Sequence, residues 1–196
     1  MMPRAFTLVE TVMVVAATSL ITITLGFLLA FFYRTNAYTL EQSTAVGQAR
    51  RGVEDAMIRL REASYASDGA YPIAAVATSS ITFYANIDNS VTVERLTYSL
   101  QRGTLYRTIT TPTGNPSTYV GGSIATTTVA TSVVNATSTP VFRYFDNAGA
   151  ELTAPVNISK IASIQTTVVV DANVNRAPVE FTLAGSATLR NLRTQL

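Results

Sequence analysis

The chain contains no cysteine, no histidine and no tryptophan, and lysine occurs once, as Lys160, in 196 residues. Without cysteine there are no disulfides and no thiolate metal sites. Without cysteine or histidine, most hydrolase triads and zinc centres are excluded as well. Charge is sparse: Asp, Glu, Lys and Arg together make 13% of the chain, with a net charge of +2. The basic residues are scattered and accompanied by acids, so no basic patch for nucleic acid stands out. No cofactor and no enzymatic activity are expected from such an inventory. What is abundant is threonine, serine and, in the second half, β-branched residues, the composition of a β-rich exported domain with a hydroxyl-covered surface. The length accommodates one anchor and one domain.

The anchor is legible at once. From Phe6 to Tyr33 the only charge is Glu10, and the 23 residues from Thr11 to Tyr33 carry none. About 20 helical residues cross a bilayer core of roughly 30 Å, so this run is long enough to span. An acid in such a segment costs about 2.5–3.5 kcal/mol if it reaches the membrane centre. Two readings of Glu10 follow from physics alone. It pairs with a positive helix terminus or a free α-amino group, its own or a neighbour's, or it lies at headgroup level and stays hydrated. A conventional signal peptide would place its cleavage site after the apolar core, beside small residues. The flank Tyr33-Arg34-Thr35-Asn36 is a poor site of that kind.

The stretch Ala5-Phe6-Thr7-Leu8-Val9-Glu10, followed by the apolar run, resembles the processing site of type IV prepilins and type II secretion pseudopilins. The resemblance implies cleavage by a prepilin peptidase between Ala5 and Phe6, N-methylation of Phe6, and a role for Glu10 in guiding subunits into a helical filament. That family usually has glycine before the cut, and this chain has Ala5. Implied partners are other pilin or pseudopilin subunits, the prepilin peptidase and an inner-membrane assembly platform. The implied location is the cytoplasmic membrane, single-pass with the N-terminus in the cytoplasm, and then an extracytoplasmic filament. Some major pilins carry a helix-melting proline in the span, where this chain has Phe27. Gly26 is then the strongest helix weakener, with Thr18, Ser19, Thr22 and Thr24 able to back-bond to the preceding turn.

Beyond the span the helical period continues. Val46, Ala49, Val53, Ala56, Met57, Leu60 and Ala63 recur at three- and four-residue spacing, an apolar stripe that needs a sheet to cover it. Arg51, Asp55 and Arg59 are spaced as an i,i+4 ladder on the opposite face. Gly47 and Gly52 read as blemishes of about 1 kcal/mol each. A stop is expected near Ser64 to Gly69. Alternation then predicts strands at 81–87, 91–100 and 104–109, joined by turns at 88–90 and 101–103. Residues 110–122, with two prolines and three glycines, read as a surface loop. Residues 124–134 read as a strand or irregular segment, and 141–145, 158–170 and 179–192 as strands. The order ITFYANIDN, VERLTYSL, GTLYR, VVNAT, VFRYFDNAG and TLRNL resembles the larger, W-type or J-type minor pilins of the same family.

The expected fold is therefore α+β: a long N-terminal helix, transmembrane then amphipathic, packed on an antiparallel β-sheet domain. The expected divisions are a leader at 1–5, a transmembrane or filament-core helix at 6–33, its amphipathic continuation at 34–66, and a β-rich domain at 67–196. The function expected is that of a minor pilin or pseudopilin. The runner-up readings are a major pilin or a membrane-anchored extracellular binding domain. Among other candidates, Asn86, Asp88, Ser90 and Glu94 have the oxygen-rich alternation of a calcium loop, without the glycine an EF-hand-like loop wants; a plain hairpin turn is the alternative. Asp171 to Asn175 is a weaker copy of that pattern. Glu151, Asp171 and Glu180 are acids that nothing in the sequence brings together. Tyr84, Tyr98, Tyr106, Tyr119 and Tyr144 suit sheet packing, and Thr126 to Thr139 suits either surface strand or O-linked sugar.

Overall fold

The computed structural model describes residues 7–88, 90–173, 175 and 180–189. The architecture is α+β: one long helix, α1 (Leu8–Arg61), followed by strands, with the outer half of the helix packed on an antiparallel domain. The chain divides into two compact units after Glu41, within the expected continuation at 34–66.

In the first unit, α1 begins at Leu8 with Thr7 as its cap. Thr7 Oγ1 accepts from the Glu10 amide at 3.3 Å, and the Thr7 carbonyl accepts from the Thr11 amide at 3.1 Å. The helix runs through Gly26 without a break. The hydroxyls of Thr18, Ser19, Thr22 and Thr24 each donate to a carbonyl four residues back at 2.7–2.8 Å. The hydroxyls of the apolar run are thereby satisfied within the helix itself. The apolar side chains from Leu8 to Tyr33 are exposed throughout.

In the second unit, the helix from Gln42 to Arg61 buries Ala45, Ala49, Val53, Ala56, Met57 and Leu60, with Ala63 just beyond. This is the expected stripe, with Ala45 taking the fully buried place and Val46 only half-buried. The stop falls at Arg61, slightly earlier than expected: the Ser64 amide donates to the Tyr84 carbonyl at 2.9 Å and hands the chain to the sheet. Gly52 corrects the sequence reading. A Cβ there would sit 2.1 Å from Val129 Cγ1 and 3.1 Å from the Val129 carbonyl oxygen, so the glycine is what lets helix and strand backbone meet.

Two antiparallel sheets cover the stripe. The larger has the order β1 (Ile73–Val76), β2 (Ser80–Ala85), β3 (Glu94–Gln101), β4 (Thr104–Thr113), β5 (Thr118–Ala130). The smaller has the order β6 (Phe142–Phe145), β7 (Ser163–Val170), β8 (Phe181–Thr188). The meander β2–β3–β4 is the one alternation predicts, in register at Phe83↔Leu96 and Leu96↔Ile109. Three elements differ from expectation. β1 is an additional edge strand. The stretch 158–170 divides into a 3-10 turn at Ile158–Lys160 and then β7. Residues 110–122 are not a loop, because β4 continues to Thr113 and β5 returns from Thr118. The glycines there serve the pairing: Gly121 has φ +74°, and a Cβ on Gly122 would fall 2.1 Å from the Thr111 carbonyl oxygen. Of the predicted strand at 179–192, only 180–189 lies among the described residues.

Candidate functional site

Ala5 and Phe6, the expected processing positions, lie outside the described residues. Glu10 stands in the first turn of α1, where the partial positive charge of the helix terminus favours an acid. This is the helix-terminus pairing that physics alone allows for Glu10. Thr7 and Glu10 also form the Thr-x-x-Glu spacing of a capping box, a local signal that was readable from the sequence. The apolar first part of α1 is exposed along its whole length. Such a helix is long and apolar enough to cross a membrane. Gly26 lies in this exposed part, with nothing within 4 Å of where a Cβ would stand.

The calcium-loop candidates are brought together by the β2–β3 turn, and most of their oxygens serve the turn. Asp88 Oδ1 accepts from the Ser90 amide at 2.9 Å, and hydrogen bonding from the Ser90 side chain, then from this amide, holds its carboxyl below the usual carboxylate range. Asn86 Nδ2 donates to the Ser90 carbonyl at 2.6 Å, and Glu94 Oε2 accepts from the Ile87 amide at 3.1 Å. Glu94 Oε1 and Asn86 Oδ1 are buried without a partner. Among the described residues no group of three or more His, Cys, Asp or Glu side chains forms a metal site. In the weaker copy, Asp171 and Asn173 cap the amides two residues on, at 2.8 and 3.2 Å. Glu151 pairs with Arg143 at 3.1 Å.

One constellation escaped the sequence reading. Of the expected ladder the Asp55–Arg59 half forms, and Asp55 turns also to the sheet, where Tyr98 Oη donates to its Oδ2 at 2.9 Å and Arg107 Nη1 reaches the same oxygen at 2.5 Å. Arg59 Nε stands 3.7 Å away. Arg51 makes no ion pair with it, and the exposed helix pair is Arg50–Glu54 at 3.0 Å instead. Burial drives the Tyr98 phenol well above its ordinary pKa, and the Asp55 charge adds to the effect. Burial alone would lower the Arg107 pKa; Asp55 and Tyr98 outweigh it and the guanidinium is held more firmly protonated. No spacing rule links residues 55, 98 and 107, so only the fold reveals the cluster. The tyrosines otherwise pack as expected. Tyr98 stacks on Phe83 at 6.0 Å, and Tyr119 lies against Tyr84 at 5.1 Å with Arg95 over its ring at 5.5 Å.

No protein-family model matches the chain, and no curated protein sequence matches it.

Proposed function

We propose that the chain is a structural, non-catalytic subunit, a minor pilin or pseudopilin, of a type IV pilus or type II secretion-like filament. One observation carries the reading. An uninterrupted helix of 54 residues has an exposed apolar first half with Glu10 in its first turn, and its second half is built into an antiparallel domain. An apolar surface of that extent is stable in lipid or among other such helices, and not in water. In this reading the bilayer is its first solvent and a bundle of neighbouring subunits its second. Cleavage between Ala5 and Phe6 leaves a new α-amino group one helical turn from Glu10. The carboxylate of one subunit then pairs with the methylated Phe6 amine of its neighbour and sets the axial step.

The decisive variant is Glu10→Ala. It removes the acid while leaving the apolar surface and the Thr7 cap. The processed protein is expected to accumulate in the membrane and to be missing from sheared filaments. Incorporation at wild-type levels would refute the pairing role.

A further inference from the structure

Two observations meet at one margin of the larger sheet. β5 is its outer strand and, at 13 residues, its longest. Along Val120 to Thr128 no backbone hydrogen bond runs, among the described residues, to any element but β4. The stretch Thr118–Ala130 contains no charged residue and no proline, two of the devices by which proteins keep an edge from pairing. The other outer strands are closed or short. β1 and β6 have four residues each, and β6 carries the Arg143–Glu151 pair. β8 lies against α1, with Gly185 facing Met57 and Val53 and with Arg61 Nη2 donating to the Ser186 carbonyl at 3.1 Å.

Where β5 nears α1, a cleft of about 410 Å³ opens, lined by Gln48, Arg51, Asp55, Arg107, Thr127 and Thr131. Its single carboxylate, Asp55, is already engaged by Tyr98, Arg107 and Arg59. Arg107 Nε is buried and without an acceptor. Arg51 is exposed and, among the described residues, makes no ion pair. Two guanidinium groups thus face one spent acid, and the cleft is short of negative charge.

We propose that this margin receives an extended segment of another polypeptide, which adds as a strand along β5 and places an Asp or Glu side chain in the cleft against Arg51 and Arg107. In strand addition the main-chain bonds supply affinity and pockets for alternate side chains supply selectivity. The uncharged edge accepts any extended backbone, while the charge of the cleft selects an acid over a neutral or basic residue. The inference uses residues from Gln42 onward and defines the partner by its chemistry, an extended segment bearing an acid, so it stands apart from the filament reading.

The test titrates the full chain, held in detergent micelles, with three blocked peptides. The first alternates Thr and Val around a central Glu, the second has Gln in its place, and the third is the Glu peptide N-methylated at alternate positions. The Glu peptide is expected to bind, the Gln peptide about tenfold or more weakly, as loss of a charge-assisted hydrogen bond implies, and the N-methylated peptide not at all. Arg51→Gln, a change at an exposed position, is expected to diminish the preference for Glu. Absence of binding by the Glu peptide, equal binding of Glu and Gln peptides, binding of the N-methylated peptide, or an undiminished preference in Arg51→Gln would each overturn the proposal. None of these results bears on cleavage at Ala5, which is measured separately.

Discussion

Thr7 and Glu10 show how one short stretch serves two physical demands. The Thr7 hydroxyl satisfies a helix amide that the helix itself leaves unpaired, and the acid sits where the helix dipole favours it. The other telling residues are Asp55, Tyr98 and Arg107. Tyr98 is fully buried and its hydroxyl has Asp55 as its acceptor. Tyr98→Phe is expected to cost about 1–2 kcal/mol in denaturant unfolding, since a bond to a charged acceptor is lost while the ring packing stays. The same phenol makes stability depend on pH. Its pKa in the fold is raised, chiefly by burial, above the ordinary value of 10.0, and that of Tyr144 is raised by burial too. The unfolded chain therefore loses these protons first. Their contribution is complete below pH 10 and declines as pH climbs beyond it. Unfolding free energies at pH 8, 10 and 11 are expected to fall over the last step, and less steeply in Tyr98→Phe. A flat profile in the wild type would contradict the assignment.

At the scale of elements, periodicity exposes what is local and conceals what is long-range. The helix, its apolar stripe and the β2–β3–β4 meander are legible because each repeats a pattern of 3.6 or 2 residues over a sufficient length. The hairpin at 110–122 is not, because Pro112, Pro116 and paired glycines are turn signals and here they serve the β4–β5 hairpin, its turn and a close backbone approach. Helical spacing pairs Asp55 with Arg59, as the fold does, and knows nothing of Arg107 on a strand. Gly47 and Gly52 look alike in sequence and differ in the fold, and this yields a paired prediction. Gly47→Ala meets only Arg51 Nη1 at 3.7 Å and is expected to be neutral or to stabilise by up to about 1 kcal/mol through helix propensity. Gly52→Ala drives a methyl into Val129 and is expected to destabilise by about 1–3 kcal/mol. Thermal or chemical unfolding of the two variants side by side checks this, and equal effects would mean that helix and strand are not in contact at Gly52. Of the site, the apolar run, Glu10 and the oxygen-rich β2–β3 turn were readable from residue types alone, whereas the cleft beside β5 required the tertiary structure.

For the whole molecule, the ruling constraint is the surface of the first unit. Its apolar side chains are exposed from Leu8 to Tyr33, and each buried Leu, Ile, Val, Phe or Met side chain is worth about 1.5–3 kcal/mol over its exposed state. Removal of that helix from both lipid and neighbouring helices is therefore prohibitive, and the mature protein is expected either in membrane or in an assembly that covers it. In the proposed function, processing converts a membrane-held precursor into a filament subunit. Mass spectrometry of the N-terminal peptide from sheared filaments tests it most directly. The expected result is a peptide beginning at N-methylated Phe6, recovered outside the membrane with other subunits. A chain that retains Met1 or begins after Phe32, and that is never found apart from the membrane, would contradict it.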